Sequence, residues 1–249
     1  MGIVINGLSY WQAEAPSGEP LIEQTIGDLF DQQAAAFPAQ EAVVYTGHPE
    51  YGSVLDLRWT YQEYHARVQD IARGLLALGL QKGEYIAIWG LNLPEWLLIQ
   101  MAAAKAGLVL VTINPLLREA EVEYILRQGD VRALFFMPTI RDHDCLATMC
   151  KLTTPGTGHG MVTGERLPLL RSLRLIGASL SGFIEQADWR PTLFAEIIAD
   201  GVRISEEEIH ERQALVTPHD PALLLYTSVK SIMNGCQSIP LDNPKSILV

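Results

Sequence analysis

The stretch Tyr85-Ile-Ala-Ile-Trp89 and the later stretch Leu108-Val-Leu-Val111 decide the fold that we predict for this chain. Their apolar residues are continuous and do not alternate with polar ones, which predicts β-strands that are covered on both faces of a sheet. The strand predicted from Leu108 extends to Ile113, and residues 131–136 form a third run of the same kind. These three runs are the centre of the predicted sheet.

Two helical segments separate the three strands. Residues 94–106 begin with Pro94, have Asn92 as the predicted cap and end at Gly107, and residues 118–128 end at Gly129. Strands and helices that alternate in this way form a βαβαβ unit, whose crossovers place helices on both faces. The predicted fold class is therefore α/β, with a mostly parallel sheet.

The N-terminal part of the chain predicts a helix over residues 25–37, with Thr25 as its N-cap and Asp28 as the return partner. Its apolar residues are spaced to share one face, which we expect to pack on the core. These residues are Ile26, Leu29, Phe30, Ala34 and Phe37.

Two β-prone runs and a long helix follow. Residues 41–46 and 55–59 are separated by a Pro- and Gly-containing turn, which predicts a hairpin. Thr60 and Glu63 then have the spacing of a capping box, and the helix that they begin closes at Gly79.

The α/β alternation continues to residue 228. We predict helices over residues 141–150 and 192–199, and a further helix opened by the capping box of Ser205 and Glu208. Strands are predicted near residues 173–176 and over residues 222–227.

Composition excludes several classes of protein. Hydrophobic residues make up 48% of the 249 residues, which is typical of a folded chain, and the net charge of −11 argues against nucleic acid binding. The three cysteines, Cys145, Cys150 and Cys236, predict reduced thiols, and we find no targeting signal, so we expect a cytoplasmic protein. Residues 96–113 are interrupted by polar residues, so no transmembrane span is predicted.

Two glycine-containing segments are candidates for chemistry. Gly156-Thr-Gly-His-Gly160 does not have the spacing of a phosphate-binding P-loop and does not follow an apolar strand, so a flexible loop is favoured. Gly177-Ala-Ser-Leu-Ser181 lacks the second glycine of a nucleophile elbow, and no His and acid are placed to complete a triad.

No metal site is predicted. The pairs His143-Asp144 and His219-Asp220 lie far apart in sequence, and a metal needs three or four converging ligands. The acidic run Glu206-Glu-Glu208, with His210 close by, is explained by the first turn of a helix, where negative charge complements the dipole. Trp59, Trp89 and Trp96 are predicted to pack in the core.

Many short segments in series carry a resemblance to a known family. They are Ile26-Gly-Asp-Leu-Phe30, Trp59-Thr-Tyr61, Ala72-Arg-Gly-Leu75, Gly83-Glu-Tyr-Ile-Ala-Ile-Trp89, Asn92-Leu-Pro-Glu-Trp96, Ala104-Lys-Ala-Gly107, Ile113-Asn-Pro115, Glu123-Tyr124 and Asp220-Pro-Ala-Leu-Leu-Leu-Tyr-Thr-Ser228. Together they resemble the N-terminal part of the AMP-forming acyl-CoA synthetases, in a branch that activates medium- or long-chain fatty acids.

The resemblance implies an incomplete N-terminal part of the adenylate-forming ligase fold. It implies fatty acid, ATP and CoA as substrates, with magnesium, and an acid–thiol ligase reaction through an acyl-adenylate. Thr227 and Ser228 match the start of the family's phosphate loop, and they are the candidate nucleotide-binding residues; we assign no catalytic residue and no metal ligand.

The sequence departs from the family directly after Ser228. The family continues Gly-Thr-Thr-Gly where this chain has Val229, Lys230, Ser231 and Ile232, and it has Pro-Lys-Gly where this chain has Asn234, Gly235 and Cys236. We therefore expect none of these cofactors to bind tightly. The expected domains are an extension over residues 1–20, a partial AMP-binding domain over 21–228 and a divergent tail over 229–249.

Three hypotheses follow from this break. The chain is a truncated ligase portion that is inactive by itself, or a non-catalytic binding or interaction module that keeps the subdomain and a homodimer surface. The third hypothesis is that a separate chain supplies the remainder of the enzyme, although nothing in residues 229–249 has the pattern of an interface.

Overall fold

Six parallel strands form the central sheet of the protein in a computed structural model, which describes residues 3–5, 8–10, 22–47, 52–158, 160–177 and 192–226. In chain order the strands are β1 Ile3–Ile5, β2 Leu8–Tyr10, β3 Glu41–Tyr45, β4 Leu57–Thr60, β5 Tyr85–Trp89, β6 Val109–Ile113, β7 Val131–Phe136, β8 Thr139–Ile140, β9 His143–Asp144, β10 Thr154–Pro155, β11 Val162–Thr163, β12 Ser172–Leu175, β13 Thr192–Leu193 and β14 Leu223–Leu225. The helices are α1 Ile26–Ala36, α2 Tyr61–Ala77, α3 Pro94–Lys105, α4 Glu119–Gln128, α5 Cys145–Leu152, α6 Glu196–Gly201 and α7 Glu206–Ala214, and Ser53–Leu55 form a 3₁₀ turn.

The order of the strands in the central sheet is β13-β12-β7-β5-β6-β14, and each neighbouring pair is parallel. β5 lies in the middle, with Ala87 opposite Val111 of β6 and Leu134 of β7. Four further pairs of strands form antiparallel two-stranded sheets within the described residues. The predicted α/β class with a mostly parallel sheet is confirmed.

Helices cover both faces of the central sheet. α1, α2, α3, α6 and α7 contact one another in one layer. The crossover from β5 to β6 and the crossover from β6 to β7 run in opposite directions across the sheet. Because such crossovers are right-handed, α3 and α4 lie on opposite faces. The strands between them are buried on both sides, as the continuous apolar runs predicted.

Only part of the apolar face of α1 is covered, which corrects the prediction that the whole face packs on the core. Phe30 and Ala34 are buried, whereas Ile26, Leu29 and Phe37 are 49%, 36% and 43% exposed. The periodicity of the sequence identified the apolar positions correctly. It could not identify which of them have a neighbour, because that depends on elements far away in the chain.

The caps of α1 and α3 also differ from the prediction. Thr25 Oγ1 accepts the backbone N–H of Asp28 at 3.0 Å, but the Asp28 carboxylate does not return to the cap and instead accepts a hydrogen bond from Gln213 Nε2 at 2.7 Å. The N-cap of α3 is Leu93, which makes no side-chain cap bond, and not Asn92. Asn92 Oδ1 accepts a hydrogen bond from Tyr45 Oη at 3.1 Å.

Two predicted helices begin later than expected. α5 begins at Cys145 and not at residue 141, because Arg141 has a φ of 53° and Asp144 Oδ1 caps the helix by accepting the N–H of Ala147 at 2.7 Å. The helix predicted from residue 192 begins at Glu196, because the preceding residues pair with β12 as β13. The hairpin of β3 and β4 and the capping box of Thr60 and Glu63 are confirmed.

α2 and α6 approach each other at two glycines. A Cβ atom built on Gly74 of α2 would lie 2.4 Å from the carbonyl oxygen of Ile197, and one on Gly201 would lie 2.7 Å from the backbone nitrogen of Gly74. Non-bonded carbon and oxygen atoms do not approach so closely. The absence of both side chains therefore allows the two helix backbones to touch.

A polar cluster links four helices inside the helical layer. The ammonium group of Lys105, which is fully buried at the end of α3, is paired with Asp31 of α1. His65 Nε2 of α2 lies 2.8 Å from Asp31 Oδ1, and Gln213 Nε2 of α7 donates to Asp31 Oδ2 at 2.8 Å. A buried ammonium group without a partner would be costly, so the cluster fixes α1 against the other helices.

None of the helices in the described ranges combines the length and the hydropathy that crossing a membrane requires.

Candidate functional site

The carboxyl ends of the parallel strands form one edge of the central sheet. β5 connects through α3 to β6 on one side, whereas β7 leads on towards β12 on the other side. The connections of these two neighbouring strands therefore leave in opposite directions. In open α/β sheets, a crevice at such a switch point is where ligands bind. The residues that follow β5, β7 and β12 are therefore the first candidates for a functional site.

The floor of this edge is apolar and tightly packed. Gly90 follows β5, and a Cβ atom at this position would lie 3.0 Å from Ile176 Cδ1 and 3.3 Å from Met137 Cγ. The backbone N–H of Leu91 donates to Met137 Sδ at 3.3 Å. A larger residue at position 90 would crowd the Ile176 and Met137 side chains, so glycine suits the close approach of the chain after β5 to the residues after β7 and β12.

Polar groups from three separate segments, two through side chains and one through its backbone, lie near the end of β5. Tyr45 Oη, at the end of β3, donates to Asn92 Oδ1, and the backbone N–H of Gly177 donates to Glu95 Oε1 at 3.2 Å. Burial raises the pKa of Tyr45, and the nearby Glu95 carboxylate raises it further. Tyr45 therefore remains a neutral hydrogen-bond donor at physiological pH. The sequence patterns did not predict that Tyr45 lies beside Asn92 and Glu95, although the segment Asn92-Leu-Pro-Glu-Trp96 is part of the resemblance.

An indole and an imidazole pack together beside the end of β5. Trp89 is fully buried, and its ring centroid lies 5.5 Å from that of His143. Within the described residues, Trp89 Nε1 has no hydrogen-bond partner. Burial lowers the pKa of His143 and Arg118 lowers it further, and Thr148 Oγ1 lies 3.2 Å from His143 Nε2. The imidazole is therefore neutral at pH 7.

The predicted nucleotide-binding residues, Thr227 and Ser228, lie outside the described residues. The structure does place the strand that precedes them: β14 pairs with β6, with Leu225 opposite Thr112. β14 therefore directs the chain towards the carboxyl edge. The last described residue is Tyr226, and burial raises the pKa of its phenol to about 12.

The other candidates from the sequence have structural explanations. Gly156 and Gly160 lie in the turn of the β10–β11 hairpin, where the N–H of Gly156 donates to the carbonyl of Met161 at 2.9 Å. Gly177 has a φ of 58°, and residues 178–181 of the same segment fall outside the described residues.

The His-Asp pairs do not form a metal site in the part of the chain that the structure describes, where no three His, Cys, Asp or Glu side chains converge. Asp144 caps α5, and Asp220 Oδ2 accepts the N–H of Thr217 at 2.7 Å and pairs with Lys82 at 2.8 Å. Glu206, Glu207 and Glu208 occupy the first turn of α7, as the capping box predicted.

Comparison with known proteins assigns this fold to a family. The family described as AMP-binding enzyme matches residues 30–228. YngI of Bacillus subtilis, which carries the name of an acyl-CoA synthetase, is 34% identical over 211 residues, which are 84% of this chain and 36% of YngI. The mitochondrial medium-chain acyl-CoA ligase of Mus musculus is 31% identical over 90% of this chain and 34% of its own length.

Solved structures agree on the fold. A long-chain-fatty-acid-CoA ligase from Archaeoglobus fulgidus superimposes with a TM-score of 0.63 at 18% identity, over 87% of this chain and 37% of the other. An anthranilate CoA ligase in complex with anthranoyl-AMP superimposes with a TM-score of 0.53 at 21% identity, over 74% and 29% of the two chains. The chain therefore spans about a third of the length of the relatives that it matches.

Proposed function

Because the chain belongs to the AMP-binding enzyme family, we propose that it is the N-terminal portion of a fatty-acid–CoA ligase and does not complete the reaction by itself. One observation carries the proposal. The match to the family runs through the central sheet and stops at residue 228, at the first residues of the phosphate loop. The acyl-CoA synthetase and acyl-CoA ligase names of the relatives support the choice of reaction.

The reaction of the intact family has two steps. The fatty acid carboxylate attacks the α-phosphorus of ATP, which gives an acyl-adenylate and releases pyrophosphate. The CoA thiol then displaces AMP. Magnesium accompanies the ATP and neutralises part of the charge on its phosphates.

The described residues fit a polyphosphate poorly. The polar side chains that meet beside the end of β5 are the Glu95 carboxylate, the Asn92 amide and the Tyr45 phenol, and none of the three is cationic. Arg118, at the start of α4, is paired with Asp142 at 3.3 Å. The two glycines that a phosphate loop needs for close backbone approach are replaced by Val229 and Ile232, whose branched side chains resist positive φ.

The test is pyrophosphate exchange. Purified chain should show no fatty-acid-dependent exchange of labelled pyrophosphate into ATP, under conditions in which a full-length family member exchanges readily. Equilibrium dialysis with labelled ATP should likewise show no saturable binding, even at millimolar protein. Exchange above the background measured without fatty acid would contradict the proposal.

A second candidate function is a non-catalytic binding or interaction module. The exposed apolar residues of α1 favour it, because an apolar helix face on a folded domain is a common contact surface. A module should unfold in one cooperative transition and remain monomeric or dimeric by light scattering. Aggregation without a cooperative transition would contradict this alternative.

The proposed domain boundaries follow the extent of the resemblance. Residues 21–228 are the partial AMP-binding domain, preceded by an extension over residues 1–20 and followed by a divergent tail over residues 229–249. We place the protein in the cytoplasm, since Cys145 is a buried free thiol and Cys150 an exposed one, as expected in a reducing compartment.

A further inference from the structure

The β8–β9 hairpin is strained at its turn. Ile140 pairs with His143, so Arg141 and Asp142 alone form the loop, and Arg141 has a φ of 53°. A positive φ at the first residue of a two-residue hairpin loop favours glycine, because a side chain there crowds the backbone. A strained conformation of this kind persists only where the surrounding structure holds it in place. The hairpin therefore depends on contacts with other elements of the fold.

His143 makes such contacts with two other elements. Its ring packs against the fully buried indole of Trp89 at the end of β5, with the ring centroids 5.5 Å apart. Its Nε2 lies 3.2 Å from Thr148 Oγ1 of α5. Thr148 Oγ1 donates its single proton to the carbonyl oxygen of Asp144 at 3.2 Å, so this hydroxyl accepts from His143 and Nε2 carries the proton of the neutral ring. A second proton can therefore add only at Nδ1.

The surroundings of His143 favour the neutral imidazole. The Asp142 carboxylate is already paired with Arg118 of α4 at 3.3 Å, and the Asp144 carboxylate caps α5. Burial, Arg118 and Lys151 lower the pKa of His143, and together they outweigh Asp142 and Asp144, which raise it. The titratable and charged groups around His143 are Arg118 of α4, Asp142 and Asp144 of the hairpin, and Cys145 and Lys151 of α5.

We propose that His143 is a pH-sensitive contact, which holds the strained β8–β9 hairpin against Trp89 while the imidazole is neutral and releases the hairpin when the imidazole is protonated. In the closed hairpin the second proton would place a positive charge in a half-buried site beside Arg118. In the open hairpin the imidazole lies in water, where the charge has no such cost. This device goes beyond the proposed function and does not depend on it.

Release of the hairpin would also reach the carboxyl edge of the sheet. The hairpin begins two residues after Met137, whose sulfur accepts the N–H of Leu91 at 3.3 Å and whose N–H donates to the carbonyl of Trp89 at 3.1 Å. Leu91 precedes Asn92, which binds Tyr45. A proton taken up at His143 therefore acts on the same crevice that the strand order identifies as the candidate site.

Amide hydrogen exchange of the full chain tests the proposal. After correction for intrinsic rates, the amides of Ile140, His143 and Leu146 should exchange about threefold faster or more at pH 5 than at pH 7.5. His143→Phe keeps an aromatic ring that takes up no proton, so the ratio of the two rates should fall to about one. His210→Phe, the same change at an exposed position of α7, is the matched control and should keep the ratio of the parent chain.

A further variant tests the strain separately. Arg141→Gly should slow the exchange of the same amides at both pH values, because glycine adopts the positive φ without crowding. It should leave the ratio of the rates unchanged, because the imidazole is the same.

Three results would overturn the proposal. The first is a rate ratio of one in the parent chain, and the second is a ratio that His143→Phe leaves unchanged. The third is slower exchange at pH 5, which would mean that the charged imidazole binds the indole of Trp89 more tightly. If His143→Phe does not fold, NMR titration of His143 in the parent chain replaces it, and a midpoint at or above the ordinary imidazole pKa of 6.5 overturns the proposal.

Discussion

The contact between α2 and α6 and the partly exposed helix α1 are two opposite ways in which helices of this protein meet their surroundings. At Gly74 and Gly201 the backbones of α2 and α6 are so close that no side chain fits between them. At α1, the large apolar side chains of Ile26, Leu29 and Phe37 remain exposed. The difference teaches that the hydrophobicity of a residue does not by itself show whether the residue is buried. Burial depends on which other elements of the fold pack against that residue.

Two phenylalanines of α1 and its C-cap, one covered and one exposed, give the largest effect by which this comparison can be tested. Phe30→Ala should lower the free energy of unfolding by about 3 kcal/mol, because the ring is 5% exposed and packs against Tyr64 at 5.1 Å. Phe37→Ala, the same substitution at a residue that is 43% exposed, should cost less than about 1 kcal/mol. Urea denaturation of both variants measures the difference, and equal losses would show that Phe37 is covered in solution.

The second prediction concerns the close contact of α2 and α6. In a helix with open space around it, Gly→Ala stabilises by about 1 kcal/mol. Gly74→Ala should instead lower stability by about 2 kcal/mol, because the new Cβ would meet the Ile197 carbonyl oxygen. Thermal or urea unfolding measures whether Gly74→Ala raises or lowers the free energy of unfolding relative to the parent chain. A more stable Gly74→Ala variant would mean that α6 is not held against α2.

The smallest effect concerns Asp31, which links α1 to the helices α2, α3 and α7. Burial by itself raises the pKa of Asp31, but hydrogen bonds from His65, Lys105 and Gln213 outweigh it and hold the pKa well below the ordinary value of 3.8. A carboxyl group with a lowered folded-state pKa contributes stability above its unfolded pKa. That contribution is lost as the pH falls through the folded pKa.

Asp31→Asn should therefore make the stability less dependent on pH below 4. The cost at pH 6 should be about 1 kcal/mol, because the amide oxygen still accepts a hydrogen bond from Lys105 and solvent screens the partly exposed Asp31. Urea unfolding between pH 6 and pH 2 measures both quantities. Glu207→Gln, on the exposed first turn of α7, is the control and should follow the parent chain. If the Asp31→Asn and parent curves stay parallel down to pH 2, the cluster does not hold α1 in solution.

Local sequence signals predicted the centre of the fold well. The bounds of β5 and β7 agree with the prediction, and the capping box at Thr60 and Glu63 begins α2 as expected. These features depend on continuous apolar runs and on groups within one helical turn of each other. A sequence contains such relations directly.

Features that depend on distant partners were not predictable in this way. Lys105 has the position of a cation in the last turn of a helix, yet it is fully buried against Asp31, which lies 74 residues earlier in the sequence. Asn92 was expected to cap α3 and instead binds Tyr45. Of the candidate site, the sequence indicated the strand that leads to Thr227 and Ser228, but not the group formed by Tyr45, Asn92 and Glu95.

The strand order has a consequence for how the chain folds during synthesis. β5, β6 and β7 are neighbours in the sheet, and all three lie within residues 85–136, so ribosomal synthesis delivers the middle of the sheet as one continuous segment. Contacts that are close in sequence form early and quickly. β14 emerges much later and joins at the rim, next to β6. The nascent chain therefore builds its sheet from the centre outwards, and β14 is the last of the described strands to be added.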